Sequence, residues 1–258
     1  MAFRSANLDH LVKFNSPSAS NFLKIYDDSL DEEIKEIGLK KPSQTIAPSS
    51  VRCKRKTWFR LRGVEPDRIS RPDRALRWSA DLGTAIHAMI QEKCLNYFKD
   101  SWIDVNDYLK ENVKDHIYKT ETSGYETRIN FEDIPVRFSC DGIVKFDNEY
   151  YLVEFKTCDS GTFKDLTDIK EEHISQVICY CSLIHLKKAL VIYIDRSYGD
   201  MKCYEKKIMS YEEYDMIQSF HDVMNSVQTR LAPEGLPKGD KWCTSNYCPY
   251  YRKCKEYG

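Results

Sequence analysis

The chain has 258 residues, 41% hydrophobic and 31% charged, enough apolar mass for one sizeable core or two small ones. Its longest unbroken apolar run is six residues, 189–194, too short for a bilayer, and the opening MAFRSANLDHLVKF has no apolar stretch after its basic residue, so neither a membrane span nor a secretory leader is expected. Lysines and arginines (39) nearly cancel aspartates and glutamates (40), so net charge singles out no partner.

Residues 1–50 are set apart as an N-terminal extension. Within it, 22–37 has helical spacing, and 40–50, with Pro42 and Pro48, reads as a loop. From Arg52 to Arg77 ten basic residues face three acidic ones, which leaves the remainder of the chain net acidic. A helix is expected over 79–98, capped by Ser79, with Leu82, Ile86, Met89, Ile90 and Cys94 on its apolar stripe. Helix is expected to continue over 102–119. The period then changes. Residues 125–130, 134–146 and 150–157 are rich in β-branched and aromatic residues, with Asp147-Asn148 as a hairpin tip. Helical spacing returns over 169–186, followed by a buried strand at 189–195, a neighbouring strand at 202–209 and a long helix at 211–231. The linker Ala-Pro-Glu-Gly-Leu-Pro then leads into a cysteine-rich tail. The expected fold is α/β, a mixed central sheet flanked by helices, with the core over 51–230 and the tail over 231–258 completing it.

Ten cysteines do not read as a disulfide framework, which belongs to short secreted domains. Cys94, Cys140, Cys158, Cys179, Cys181 and Cys203 lie among apolar or strand-like residues and are expected to be small core side chains. Cys53, Cys243, Cys248 and Cys254 lie in a different context, basic and aromatic, where thiols can hold metal.

Chemistry concentrates in Asp141-Gly and in Glu154-x-Lys156. Residues two apart on a strand share a face, so Glu154 and Lys156 project together, and a hairpin turning near Asn148 brings Asp141 alongside. Two carboxylates and an ammonium at one sheet edge suit phosphodiester hydrolysis. The carboxylates bind a hard divalent cation, and the lysine steadies the nucleophile or the transition state. Gly83-x-x-x-His87 opens the preceding helix, and Gln176-x-x-x-Tyr180 presents two polar groups from one face of the following one. Taken singly, each of these also fits an exposed strand face or an ordinary structural histidine.

In this order the four motifs resemble the RecB-type nucleases of the PD-(D/E)XK superfamily, from about Val51 onward. The resemblance implies a restriction-endonuclease-like fold and an Mg²⁺- or Mn²⁺-dependent deoxyribonuclease. His87, Asp141, Glu154 and the Phe155 main-chain carbonyl would hold the metal, Asp141, Glu154 and Lys156 would be catalytic, and Gln176 and Tyr180 would contact DNA or support the site. Glu126 falls about where some members keep another acid. One cysteine upstream (Cys53) and three downstream (Cys243, Cys248, Cys254) look like the iron–sulfur staple of AddB subunits and of the CRISPR-associated RecB-type exonucleases. The resemblance implies a 4Fe–4S cluster, with structural Zn²⁺ as the alternative. The first tail gap is four residues here, against the family's commoner two.

Arg52, Lys54, Arg55 and Lys56, interleaved with Trp58 and Phe59, suit a single strand of nucleic acid, with cations on phosphates and rings for stacking. The function expected is a DNA exonuclease or end-processing nuclease acting on single strands or free ends, in recombination, repair or phage DNA metabolism, in the cytoplasm of a bacterium or an infected host. The alternative is a catalytically idle DNA-binding or scaffold subunit. With no Gly-x-x-x-x-Gly-Lys-Ser/Thr loop, a helicase, recombinase or single-strand-binding protein would be a separate partner, and no membrane partner is expected.

Overall fold

A computed structural model describes residues 16–39, 44–48, 51–67, 74–237, 239–245 and 247–257. Most of the expected loop at 40–50, the start of the N-terminal extension and the basic residues Arg68 and Arg71 lie outside them. Two compact units divide the chain: residues 1–41 with 69–80, and residues 42–68 with 81–258. In the first, helix α1 (Pro17–Leu39) bears out the helical spacing at 22–37, and Arg74 pairs with its Asp27 at 2.5 Å.

The second unit is α/β. A five-stranded sheet runs in the order β1-β5-β6-β7-β8: β1 (Trp102–Ile103), β5 (Gly142–Phe146), β6 (Glu149–Cys158), β7 (Lys188–Asp195) and β8 (Met201–Lys207). Only β6 and β7 are parallel, and the crossover between them carries helices α5 (Ser160–Asp165) and α6 (Glu171–Ile184). A smaller antiparallel sheet holds β2 (Tyr118–Ser123), β3 (Glu126–Phe131) and β4 (Arg137–Cys140). Helix α2 (Lys54–Leu61), residues 81–98 of the long α3 (Arg74–Phe98), α4 (Val105–Asn112), α7 (Ser210–Thr229) and the short α8 (Tyr251–Cys254) complete it.

Alternation along β6 sorts the core. Leu152 packs toward α6, in a cluster with Val177, Cys181, Ile184, Val191 and Phe138. Val153 and Phe155 face Ile90 and Cys94 of α3. Trp58 and Phe59 of α2 pack with Val223 of α7 and Tyr250 of the tail in a third cluster. The β5–β6 hairpin turns at Asp147-Asn148 as expected, both residues at positive φ, which suits a tight hairpin turn.

Several expectations are corrected. Helix α3 begins before Ser79, which therefore lies inside it and is no cap. The helix expected over 102–119 gives way to β1, to α4 and to β2. Asp104 restarts the helix as an N-cap, its Oδ1 accepting from the Asp107 N–H at 2.9 Å. The single strand expected at 134–146 is two strands in two sheets. Cys140 pairs with Thr127 in the small sheet, Gly142 pairs with Val153 in the large one, and Asp141 lies between them. Cys203 is exposed on β8, not a core thiol.

Gly142 has a packing reason. A Cβ there would stand 2.3 Å from two ring atoms of Trp102, whose indole stacks on Phe98. Gly142→Ala is therefore expected to cost about 1–3 kcal/mol by overpacking. That corresponds to a melting temperature lower by about 2–12 °C, read by calorimetry; an unchanged value would mean that the indole moves freely.

Candidate active site

Asp141 sits where the chain leaves one sheet for the other, 5% exposed. Its Oδ2 accepts from the Phe155 N–H at 2.8 Å, and its main-chain carbonyl accepts from Gln91 Nε2 at 2.8 Å. The β5–β6 ladder ends at Gly142–Val153. Beyond it, the edge of β6 vacated by β5 is open to Asp141. In an extended strand a residue's N–H and C=O point to the same edge, so the Phe155 carbonyl lies on the side that its amide shares with Asp141.

Glu154 and Lys156 share a face of β6, as the two-residue spacing demands. Lys156 Nζ donates to Glu154 Oε1 at 2.5 Å. From α6, Gln176 Nε2 donates to the same oxygen at 3.1 Å and to the Tyr180 hydroxyl at 2.6 Å. Tyr180 is buried and stacked on Phe138 with ring centroids 4.1 Å apart, so it supports Gln176 and has no surface to offer DNA. The other oxygen of Glu154, Oε2, is buried and has no hydrogen-bond partner among the described residues.

His87 approaches from α3, its Nδ1 3.5 Å from Asp141 Oδ1 and its ring edge-on to Phe155. A Cβ on Gly83, one turn earlier, would meet Thr157 Oγ1 at 3.3 Å, which shows how closely α3 lies on β6. Donor atoms of His87, Asp141 and Glu126 all lie within 4.8 Å of one another, so Glu126 of β3 stands with the two expected ligands, while Glu154 falls outside this group as the side chains now sit. Gln91 and Phe138 escape the sequence reading. Gln91 is four residues past His87, and that spacing alone places it on the same helix face.

The electrostatics follow from burial. Burial depresses His87, but its contact with Asp141 and the charges of Asp141 and Glu154 outweigh this and raise its pKa. Burial, and then the Asp141 charge, push Glu154 up from 4.5 to about 7 against the opposing pull of Lys156 and His87. A folded chain that holds this proton more tightly than the unfolded one loses stability as pH rises through that window. In metal-free buffer, wild-type stability is expected to fall relative to Glu154→Gln between about pH 5 and about pH 8, by at most about 3 kcal/mol. An added divalent cation is expected to restore the wild type only. Parallel pH profiles for the two proteins would show that Glu154 ionises without penalty.

Cys53, Cys243, Cys248 and Cys254 line one cavity of about 100 Å³. Cys53 caps α2, its Sγ accepting from the Lys56 N–H at 3.4 Å, and Arg55 Nη1 donates to Cys254 Sγ at 3.7 Å. Arg52 Nη1 and Trp242 Nε1 belong to residues lining the same cavity and are buried without partners among the described residues. Burial, and then the neighbouring thiols, raise Cys243 and Cys248.

The basic segment is corrected as a stacking surface. Trp58 and Phe59 are each 1% exposed, and Trp58 Nε1 donates to the Ser226 carbonyl at 2.9 Å. Arg52 pairs with Glu171 and Lys54 with Asp222, both at 2.6 Å, and Arg55 Nε donates to the Pro233 carbonyl at 2.8 Å. Lys56 lines the cysteine cavity.

No protein-family model and no curated protein matches the chain. Among solved structures, the archaeal protein SSO0001 is similar over 89% of this chain and 96% of its own, at 17% identity and a TM-score of 0.47. Among the described residues, no helix is long and apolar enough to cross a membrane.

Proposed function

We propose that the protein is a divalent-metal-dependent deoxyribonuclease of the RecB-like PD-(D/E)XK type, acting on single strands or DNA ends. The observation that carries this reading is that His87 meets Asp141 and Lys156 meets Glu154 beside the end of β5, with one Glu154 oxygen buried and unpartnered among the described residues. A buried carboxylate oxygen without a donor is costly unless a cation meets it. Asp141, Glu154, His87, the Phe155 carbonyl and Glu126 are the residues that would hold Mg²⁺ or Mn²⁺, all acceptable donors to such an ion. Bound there, the ion supplies positive charge at the scissile phosphate and the means of activating water.

The chain's own groups supply positioning. The Phe155 amide and Gln91 fix Asp141, while Gln176, held by Tyr180, fixes Glu154. Lys156 has N–H donors beyond the one facing Glu154, and these can steady the nucleophile or the charge developing on phosphorus.

The spacing of the four cysteines supports the 4Fe–4S reading over a single zinc ion in one respect. Sulfurs 2.3 Å from a tetrahedral ion stand about 3.8 Å apart, whereas no three of these sulfurs lie within 4.8 Å of one another among the described residues. The cavity of about 100 Å³ is several times the ~10–15 Å³ that one water needs by the same measure. The unpartnered donors of Arg52 and Trp242 suit an anionic, sulfur-rich group. Arg52, Lys54 and Arg55 are accordingly assigned to this region's architecture, with DNA contact left to other surfaces.

The test is cleavage of end-labelled single-stranded DNA with Mg²⁺ or Mn²⁺ by full-length protein. Metal-dependent product, abolished by chelator, is expected. DNA binding without product under either ion would favour the idle-subunit reading.

A further inference from the structure

A second group of ligands lies away from the nuclease site, at the other end of α6. His185 is the left-handed C-cap of that helix, at φ +59. Asp115 and His116 lie in the connection from α4 to β2. His185 Nε2 is 2.7 Å from Asp115 Oδ1, and His116 Nε2 is 4.0 Å from Asp115 Oδ2. One donor atom from each of the three lies within 4.8 Å of the others. The remaining ring nitrogen of His116, Nδ1, is 2.6 Å from Asp133 Oδ2. A carboxylate behind an imidazole fixes the tautomer and turns the opposite nitrogen toward an ion.

The group faces a cavity of about 550 Å³ that His221 and Ser182 also line. Ser182 is 2% exposed, and its hydroxyl is buried without a partner among the described residues. Salt bridges account for the imidazoles and carboxylates as they stand. They leave unsatisfied the hydroxyl of a residue that lines the same cavity.

We infer that His116, His185 and Asp115 form a second metal site, for a borderline divalent transition ion such as Zn²⁺. Two imidazoles and one carboxylate are a donor set that zinc accepts, with a fourth position left for water. Ligands about 2.1 Å from a tetrahedral ion stand about 3.4 Å apart. The contacts of 2.7 Å to Asp115 Oδ1 and 4.0 Å to Asp115 Oδ2 lie on either side of that spacing, and one donor atom of each residue is already within 4.8 Å of the other two. The ion would tie the C-terminal end of α6 to the α4–β2 connection and, through Asp133, to the small sheet. The site is independent of whether the first one cleaves DNA.

The experiment uses full-length Asp141→Asn protein, its thiolate site filled as purified, titrated with Zn²⁺. Equilibrium dialysis gives stoichiometry, and zinc-edge X-ray absorption gives donor type. One added zinc per chain, with imidazole and oxygen but no sulfur neighbours, is expected. Asp133→Asn in this background is expected to weaken it about 10–100-fold, and His116→Ala or His185→Asn to weaken it at least as much. Asparagine tolerates the left-handed backbone at 185, so His185→Asn keeps the reading interpretable even where His116→Ala fails to fold. No such zinc, zinc with sulfur neighbours, or binding indifferent to His185→Asn would overturn the assignment.

Discussion

Replacing Lys156 by alanine is expected to lower DNA cleavage by about 10²–10³-fold, the range seen when one preorganised donor to a transition state is removed. DNA binding is expected to hold within a few-fold, because the ammonium is engaged with Glu154 rather than placed on an exposed surface. A merely structural lysine would lower stability and leave turnover per folded molecule intact. The pH profile separates the two cases further. Lys156 holds Glu154 down against burial and the Asp141 charge, so its removal moves the Glu154 carboxyl upward. The acidic limb of the residual rate is then expected to shift to higher pH. Lys156→Arg is expected not to rescue, since a planar guanidinium cannot replace a compact ammonium between two close groups. Full cleavage in purified Lys156→Ala protein would remove the mechanism.

The second large effect is expected from the cysteines. Cys53 and Cys243 stand 190 positions apart, and a link across that span restricts the unfolded chain by about 5 kcal/mol on loop-closure reasoning. For a chain of this size that amounts to about 10–20 °C in melting temperature. Cys254→Ser is expected to lose iron and colour and to show this drop, and Cys203→Ser, on an exposed position of β8, to show neither. Brown wild-type protein with iron and sulfide is the expected starting material. Colourless protein holding one zinc would keep the staple and discard the cluster. Wild type and Cys254→Ser with equal metal content and equal melting temperatures would discard both.

The elements with strong local signals are the ones that sequence reasoning located. The Asp147-Asn148 tip, the alternation in 150–157 and the run at 189–195 each specify a strand or turn by themselves, and the Glu154–Lys156 face follows from spacing alone. The break at Asp141 does not, because residues 138–146 alternate as one strand and only tertiary pairing with Thr127 on one side and Val153 on the other divides them. Strand β2 is almost wholly exposed, with no apolar alternation to mark it. Trp58 shows the opposite failure. Cations on both sides suggest an open surface, yet its partners, Val223 and Ser226, lie more than 160 positions away and bury the ring. Of the site itself, Gln91 was within reach of helical spacing, whereas the Phe138 platform under Tyr180 depends on a sheet the sequence did not reveal.

Asp141 is held by two ladders at once, the small sheet ending at Cys140 and the large one starting at Gly142. A one-residue insertion or deletion in either flank would slide the carboxylate about 3.3 Å and turn it to the opposite side. Apart from Phe138, Asp141 and Gly142, residues 137–146 can therefore drift in side-chain identity, but the count of residues there cannot change without moving Asp141.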